Sequence, residues 1–384
     1  MNNFEYCNPV NIVFGKGKIA RIADLIPADA KVLMTYGGGS IKKNGVYDQV
    51  KDALKNFDVV EFGGIEPNPQ YSTLMKAVEL VKTENITFIL SVGGGSTLDG
   101  TKFIAAAARY KGNDPWDILK KGAPIDDAVP FADVITLPAT GSEMNCFSVI
   151  SRKETTEKLA FSSPLVFPKF SIIDPSVTFS LPLRQVANGI ADTFVHVAEQ
   201  YVTHPANTPF QDRQAEAILL ALIDEAPKVF ATPNDYDVRA NIFWMSTVAL
   251  NGWLNVGAPQ CWATHGIGHE LTARTGVDHG RSLALVLPGV WRYQRKEKGE
   301  KIVQLGRRVF KIDEPNFDKA LDRTIEATIA FFRSLGIKAT KEEYGVTDEV
   351  IKDAADVIEA RGVKLGDLQN IGGAEVVAIL GLCD

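Results

Sequence analysis

Three of the chain's five histidines fall within fifteen residues, in the run ATHGIGHELTARTGVDHG at positions 263–280. His265 and His269 stand at i and i+4, on one face of a helix. His279 follows Gly276 and Val277 in what reads as the next loop, from which it can fold back toward the same point. Upstream, the apolar stretch Arg184–Thr203 carries Asp192 and His196, again at i and i+4. A carboxylate in so apolar a helix needs a cation, a metal or several donors. A structural Asp–His hydrogen bond would satisfy that pair taken alone. The downstream histidines favour a metal, because neutral imidazole is the commonest metal ligand and one carboxylate with three imidazoles makes an N/O set suited to Zn²⁺ or Fe²⁺. Such a set leaves net positive charge on the ion, as a Lewis acid requires. Asp192, His196, His265 and His279 are read as the ligands. His269 is left either as the group that exchanges a proton with the developing alkoxide or as a histidine that supports the site from the core. His204, beside Pro205, reads as a surface residue, and Glu199 and Glu270 as solvated or supporting groups.

A second kind of chemistry lies in two glycine-rich turns. The apolar run from Thr87 ends in Gly93, Gly94, Gly95 and Ser96 and passes into helical periodicity, while Lys31–Tyr36 ends in Gly37, Gly38, Gly39 and Ser40 with Lys42 and Lys43 beyond. Glycines let phosphate approach the backbone, and a helix N-terminus offers free N–H donors and a positive dipole end. One triple glycine would equally serve as a tight turn; two, each ending a strand, point to a dinucleotide. The spacing is not the G-x-G-x-x-G fingerprint. Small, hydroxyl-bearing and basic residues at the first turn suit a 2′-phosphate, where NAD enzymes commonly place a carboxylate.

The elements that must hold these groups divide into two kinds. Through about residue 178, short apolar runs alternate with amphipathic stretches, as in a parallel sheet with crossover helices. The expected strands are Asn11–Phe14, Lys31–Tyr36, Val59–Phe62, Thr87–Val92, Val134–Leu137 and Phe170–Asp174, with helices over Tyr71–Thr83 and Thr97–Arg109. Beyond Asp174-Pro175 the pattern becomes helical, over Arg184–Thr203, Gln211–Lys228, Val238–Asn251 and Phe317–Leu335. The expectation is an α/β domain, 1–178, followed by an all-helical domain, 179–384. Phe147, Phe194, Trp253 and Trp262 are read as lining an apolar substrate pocket without fixing its length.

Composition narrows the classes. With 45% hydrophobic and 23% charged residues the chain can bury a large core. A net charge of −6 from interspersed residues gives no nucleic-acid footprint. No segment is long and apolar enough for a bilayer span and the N-terminus has no leader pattern, so a cytoplasmic protein without nucleic-acid or membrane partners is expected. Four scattered cysteines without C-x-x-C pairing argue against a zinc ribbon or a disulfide framework.

The motifs FGKG (14–17), TYGGGSIKKNG (35–45), EFGGIEPNP (61–69), SVGGGSTLDGTKFIA (91–105), TLPATGSEMN (136–145), QVANGIADTFVHVAEQYVT (185–203) and the histidine run of 263–280 span almost the whole chain. On them the sequence closely resembles the iron-containing, or group III, alcohol dehydrogenases, and within these the NADPH-dependent aldehyde reductase and butanol dehydrogenase branch. The resemblance implies an N-terminal parallel-sheet dinucleotide-binding domain, a C-terminal helical metal-binding domain as in dehydroquinate synthase, and a homodimer. It implies reduction of small aldehydes to primary alcohols, with the four ligands named above, Gly93–Ser96 at the pyrophosphate and Gly37–Ser40 at the adenosine ribose. Relatives that use NAD tend to carry Asp where this chain has Gly39, which implies NADP(H). Asn68, Asp99, Thr136, Thr140, Ser142, Asn145 and Lys158 are implied as further cofactor contacts. Ala139 departs from the family pattern, replacing a second Thr, and the stretch after about Lys364 matches poorly and is assigned nothing functional. The rival readings are a cyclising lyase of the 3-dehydroquinate synthase type, using NAD and a metal, and a non-enzymatic nucleotide- or metal-dependent sensor.

Overall fold

A computed structural model of the chain describes residues 1–383; Asp384, the last residue of the expected helical domain, lies outside the described residues. The chain forms two compact units, one of Cys7–Leu181 with Pro233–Thr247, the other of Met1–Tyr6, Pro182–Thr232 and Val248–Asp384. Where the sequence reading expected a single divide near residue 178, Pro233–Thr247 groups with the first unit and Met1–Tyr6 with the second.

In the first unit, β1 (Asn11–Phe14), β2 (Lys31–Tyr36), β3 (Asp58–Phe62), β4 (Phe88–Gly93), β5 (Phe131–Ile135) and β8 (Phe170–Ile173) form a parallel sheet in the order β1-β8-β5-β4-β2-β3. Its helices are α1 (Ile22–Leu25), α2 (Ser40–Lys43), α3 (Val46–Ala53), α4 (Tyr71–Thr83), α5 (Gly95–Arg109) and α6 (Asp117–Lys120). Strand period fixes which core each residue enters. Val32, Met34, Phe88, Leu90, Val92, Ala132 and Val134 pack with Ile41, Val46 and Val50, while Leu33, Ile89, Phe131 and Ile135 pack with Leu74, Leu98 and Phe103. Both faces are covered, so the strands are apolar without alternation.

The α5 face carries an exception that the strand pattern does not announce. Thr35, Ser91, Asp133 and Ser171 are register neighbours across four strands and are essentially inaccessible. Thr35 shares a 2.7 Å hydrogen bond with Thr101 of α5, and Ser171 donates to Asp133 at 2.6 Å. Burial pushes the Asp133 carboxyl well above the usual carboxylate range, against the Ser171 bond.

Two strands were not expected from the sequence. β6 (Phe147–Arg152) and β7 (Glu157–Ser162) form an antiparallel hairpin. Its polar, lysine-containing alternation carries a weak strand signal, and it is anchored by Ser151 pairing with the segment at Pro69–Gln70.

Helix α9 (Tyr236–Ala249) follows α7 (Leu183–Tyr201) and α8 (Pro209–Ala231) in sequence, yet most of it belongs to the first unit. Phe243 enters the sheet core, Trp244 packs edge-on to Phe14, and Thr247 donates to the buried Glu143. In exchange, Met1–Tyr6 joins the helical unit, where Asn2 N–H bonds the Gly257 carbonyl and Tyr6 packs on Trp253.

The helical unit comprises α7, α8, α10 (Ala263–Thr275), α11 (His279–Tyr293), α12 (Arg295–Arg308), α13 (Phe317–Ser334), α14 (Asp348–Ala360) and α15 (Gly373–Gly381). α7 is buried on every side from Val186 to Tyr201. Phe194, expected to line a pocket, is instead fully buried among Phe310, Phe331 and Phe332, because its position on α7 faces α13 and the packed interior. No described helix is long and apolar enough to cross a membrane.

Candidate functional site

Within the helical unit, α7 presents Asp192 and His196, both 3% exposed. α10 contributes His265, and α11 begins at His279. The docking of α11 on α7 is tight at Gly280, where a Cβ would stand 2.3 Å from the Asn188 carbonyl oxygen. Polar contacts fix the same junction: Arg184 and Asn188 both donate to Asp278 at 2.9 Å, and Arg281 donates to the Asn188 side chain at 3.0 Å.

The result is convergence. The Nε2 atoms of His196, His265 and His279 lie 3.5, 3.8 and 3.7 Å from a single atom, Asp192 Oδ1. Ligand atoms bound at about 2.0–2.2 Å to one tetrahedral ion stand roughly 3.3–3.6 Å apart. Asp192 Oδ1 and His265 Nε2 are buried and have no hydrogen-bond partner in the protein. Buried polar atoms facing one another in this way are costly unless positive charge, a proton or a metal cation, lies between them. Asp192, His265 and His279 also group as donors within 4.8 Å of one another. Burial works against charge on His265, but the Asp192 and Glu199 carboxylates more than offset it and carry its pKa up to about 9. The site thus favours positive charge at that imidazole, and the donor set fits a divalent ion.

His269 lies at the edge of this group, its ring 5.2 Å from that of His279 and 6.3 Å from that of His265. Trp262 packs edge-on to His265 at 5.2 Å. His204 is partly exposed and bonded to Asp367, whose buried side chain also holds Lys298 at 2.7 Å. The stretch after about Lys364, to which the sequence reading assigned nothing functional, therefore anchors a buried ion pair through Asp367.

Glu199 was the residue that sequence reading undervalued. It is 2% exposed and bonds the start of α10. The available signal was its place at i+7 from Asp192 and i+3 from His196, on the same stripe of α7. Glu270 is also buried, paired with Arg274 and Arg361.

In the sheet unit, the two glycine turns stand side by side, since β2 and β4 are neighbours with Tyr36 opposite Val92. The chain runs from β2 outward to β3 and then back across to β4 and β5, so the turns occupy the point where strand order reverses, at the carboxyl ends of the strands. Open α/β sheets bind ligands there. A Cβ on Gly93 would come within 2.6 Å of Thr97 Oγ1, and one on Gly95 within 2.5 Å of Thr140 Oγ1, so neither position tolerates a side chain. α5 starts at Gly95, presenting its first-turn N–H groups at the Gly93–Ser96 turn. Gly39 has φ +93° and leads into α2; Lys42 lies over the Tyr36 and Tyr47 rings at 5.0 and 4.9 Å.

The remaining expected cofactor contacts form two groups, with Thr136 apart from both. Lys158 of β7 donates to Asn68 at 2.8 Å. Asp99, Ser142 and Asn145 belong to a network built around Lys102, which the sequence reading did not single out. Lys102 is inaccessible and its ammonium reaches the Ser142 carbonyl and hydroxyl, Asn145 Oδ1 and the Phe147 carbonyl at 2.8–3.0 Å. Ser142 in turn donates to Asp99 at 2.6 Å, and Thr140 Oγ1 accepts from Ser142 N–H. Burial presses the Lys102 pKa down to about 8, partly offset by Asp99. Thr136 extends the sheet through its N–H to Gly93. Phe147 is largely exposed at the start of β6.

Known proteins match this chain along almost its whole length. The family model described as "Iron-containing alcohol dehydrogenase" matches residues 9–175, and that of the "Fe-containing alcohol dehydrogenase family, C-terminal" matches residues 186–382, so the stretch after Lys364, expected to match poorly, lies within the family match up to residue 382. The chain is 54% identical to the NADPH-dependent aldehyde reductase YqhD of Escherichia coli, covering 97% of each chain, and 43% identical to the probable NADH-dependent butanol dehydrogenase 1 of Bacillus subtilis, covering 99% of each. Among solved structures, one of E. coli YqhD superposes with a TM-score of 0.97 at 52% identity, covering 99% of this chain and 98% of that one. NADH-dependent butanol dehydrogenase A of Thermotoga maritima gives 0.95 at 37%, covering 100% and 99%. Matched end to end at these identities, the chain belongs to the iron-containing alcohol dehydrogenase family.

Proposed function

We propose that this chain reduces small aldehydes to primary alcohols with NADPH, using one divalent ion, Zn²⁺ or Fe²⁺, held by Asp192, His196, His265 and His279. The observation that carries the reading is the convergence of three imidazole nitrogens on the partnerless Asp192 Oδ1. The 54% identity to a protein named an NADPH-dependent aldehyde reductase supports the substrate and coenzyme. When bound, the ion supplies a Lewis acid that polarises the carbonyl oxygen, and the coenzyme supplies the hydride. Asp192 offsets part of the cation's charge, and the three imidazoles leave it net positive. His269 hands a proton to the product oxygen. In the region 1–178, Gly93–Ser96 takes the pyrophosphate and Gly37–Ser40 the adenosine ribose, with Asn68, Asp99, Thr136, Thr140, Ser142, Asn145 and Lys158 as further contacts; the region 179–384 carries the metal and the catalytic group. A homodimer working in the cytoplasm completes the reading. Free, scattered cysteines suit that compartment, and a solution mass of one chain would contradict the dimer.

Metal-replete protein should consume NADPH with a panel of short aldehydes such as butanal. Absence of net NADPH oxidation with every aldehyde would overturn the reading in favour of a cyclising lyase or a sensor. His269→Ala should keep its metal, lose roughly 100-fold or more in kcat and show an altered pH profile; loss of metal instead would make His269 a ligand.

Coenzyme choice gives a further test, sharpened by backbone geometry. Gly39→Asp should shift preference from NADPH toward NADH, because a carboxylate brought within about 5 Å of a 2′-phosphate would cost about 2 kcal/mol or more, some 30-fold. The left-handed φ at Gly39 adds strain to any side chain. Gly39→Asn carries the same strain without charge, so the ratio of specificity constants should move in the Asp variant and far less in the Asn variant. Equal ratios in both would reject the charge argument.

A further inference from the structure

Among the described residues, the hydrogen bonds to the carboxylate of Glu199 come from the start of α10. Its Oε1 accepts Thr264 N–H at 2.7 Å, and its Oε2 accepts both His265 N–H at 3.2 Å and His265 Nδ1 at 2.5 Å. Its backbone carbonyl accepts Cys261 N–H at 2.9 Å. Helix α10 has no cap of its own: the residue at its N-cap is Trp262, whose side chain makes no capping bond and whose φ is +57°. A bulky residue in the left-handed region is strained by about 1 kcal/mol or more, and the anchors to Glu199 on either side of Trp262 hold it there. Two of the free N–H groups that begin α10, those of Thr264 and His265, are thus satisfied from α7, the helix that also bears Asp192 and His196.

The same carboxylate decides the chemistry of His265. An ionised carboxylate only accepts, so Nδ1 must donate. A neutral imidazole with its proton on Nδ1 has its lone pair on Nε2. That Nε2 is the buried, partnerless atom 3.8 Å from Asp192 Oδ1.

We propose that Glu199 is the positioning residue of the metal centre: one buried carboxylate caps α10 and also holds His265 as its Nδ1–H tautomer with Nε2 turned to Asp192, and its charge strengthens that nitrogen as a ligand. The inference rests on the metal-centre reading above. It makes α7 and α10, two of the three ligand-bearing helices, a single unit, in which moving α10 along α7 breaks the cap and the ligand geometry together.

Glutamine is the informative substitution. Its amide has one acceptor oxygen where three donors converge, so its NH₂ must face Thr264 N–H or His265. Facing His265, it drives the imidazole to the Nε2–H tautomer, which cannot bind an ion through Nε2. Removal of a carboxylate behind a metal-bound histidine costs roughly 10- to 100-fold in affinity. In Glu199→Gln, the dissociation constant of zinc alone, measured against a chromophoric chelator with metal-free protein, should rise by that factor while the circular dichroism spectrum stays native. A purely capping role predicts a lower melting temperature with zinc affinity unchanged. An affinity within twofold of the parent in folded Glu199→Gln therefore overturns the inference.

Should that variant not fold, the parent protein decides. With ¹⁵N-labelled histidines, five in all, long-range ¹H–¹⁵N spectra of the zinc-loaded protein should show His265 protonated at Nδ1 and metallated at Nε2. Zinc at Nδ1, or a proton on Nε2, overturns the proposal. If the parent takes up no zinc, the metal reading and this inference fall together; if it binds zinc through His265 Nε2 and Glu199→Gln binds equally well, only this inference falls.

Discussion

His265→Ala is expected to lose bound metal and aldehyde reductase activity together. The substitution removes one of three imidazoles converging on Asp192 Oδ1 and leaves that oxygen facing fewer donors. Polarisation of the carbonyl is stronger in the transition state than in the ground state, so its loss falls on turnover more than on substrate binding. A Lewis acid worth about 4 kcal/mol to the barrier corresponds to about a thousandfold in rate. Elemental analysis of protein purified without added metal, alongside NADPH oxidation, checks both halves. Full activity in a metal-free variant would falsify the metal mechanism. The variant also strips the Nδ1–H donor from the buried Glu199, which keeps its two backbone N–H bonds, and a lost hydrogen bond to a charged group of this kind costs about 1.5–3 kcal/mol of stability. His279→Ala supplies the cleaner arm, because that side chain is 25% exposed and its removal strands no buried acid in the same way. It should lose metal while remaining folded, as a thermal melt would show.

Gly280→Ala should be nearly as damaging, although it deletes no ligand. The added carbon would sit 2.3 Å from the Asn188 carbonyl oxygen and 3.0 Å from its carbon. These are backbone atoms of a helix and cannot rotate aside, so α11 must move away from α7. That displacement loosens the Arg184, Asn188 and Arg281 contacts around Asp278 and draws His279 off Asp192. Overpacking of this kind costs about 1–3 kcal/mol, and more where the obstacle is main chain. For a chain of this length the melting temperature should fall by several degrees, with a parallel fall in zinc affinity. A variant that melts and binds zinc like the parent would show that the α7–α11 junction has slack enough to absorb a methyl group. It would then not be the device that aims His279.

The two experiments probe different levels of the same construction. Substitution at His265 tests which atoms hold the ion, and substitution at Gly280 tests what brings them together. Glu199 belongs to both levels, since its bonds to Thr264 and His265 fix a helix end and a ring nitrogen at once.

The sheet shows why some of this was legible and some was not. Short apolar runs located β1 and β2 to the residue and the other expected sheet strands to within a few residues, because alternate residues enter different cores and both cores are apolar. The hairpin β6–β7 escaped because its alternation includes charged residues and its support is the distant segment at Pro69–Gln70. Helix α9 was legible as a helix but not as a member of the sheet unit, for amphipathic spacing says that a face is buried and not against what. The same holds for Lys102: a lysine inside an apolar helix is visible in sequence, whereas the four acceptors that surround it come from residues 142–147.

By itself, the sequence determined the chemical vocabulary of this protein: a carboxylate and a histidine one helical turn apart, a histidine-rich segment, two glycine turns that each end a strand, and the motifs that mark its family. Those features are local, set by periods of 3.6 and 2 and by residue type. Only the tertiary structure decided that His196, His265 and His279 share one oxygen of Asp192, that Glu199 is buried behind His265, and that the glycine turns are neighbours. Convergence of that sort depends on how helices and strands dock, and docking is fixed by long-range contacts such as Gly280 on Asn188, which no local period encodes.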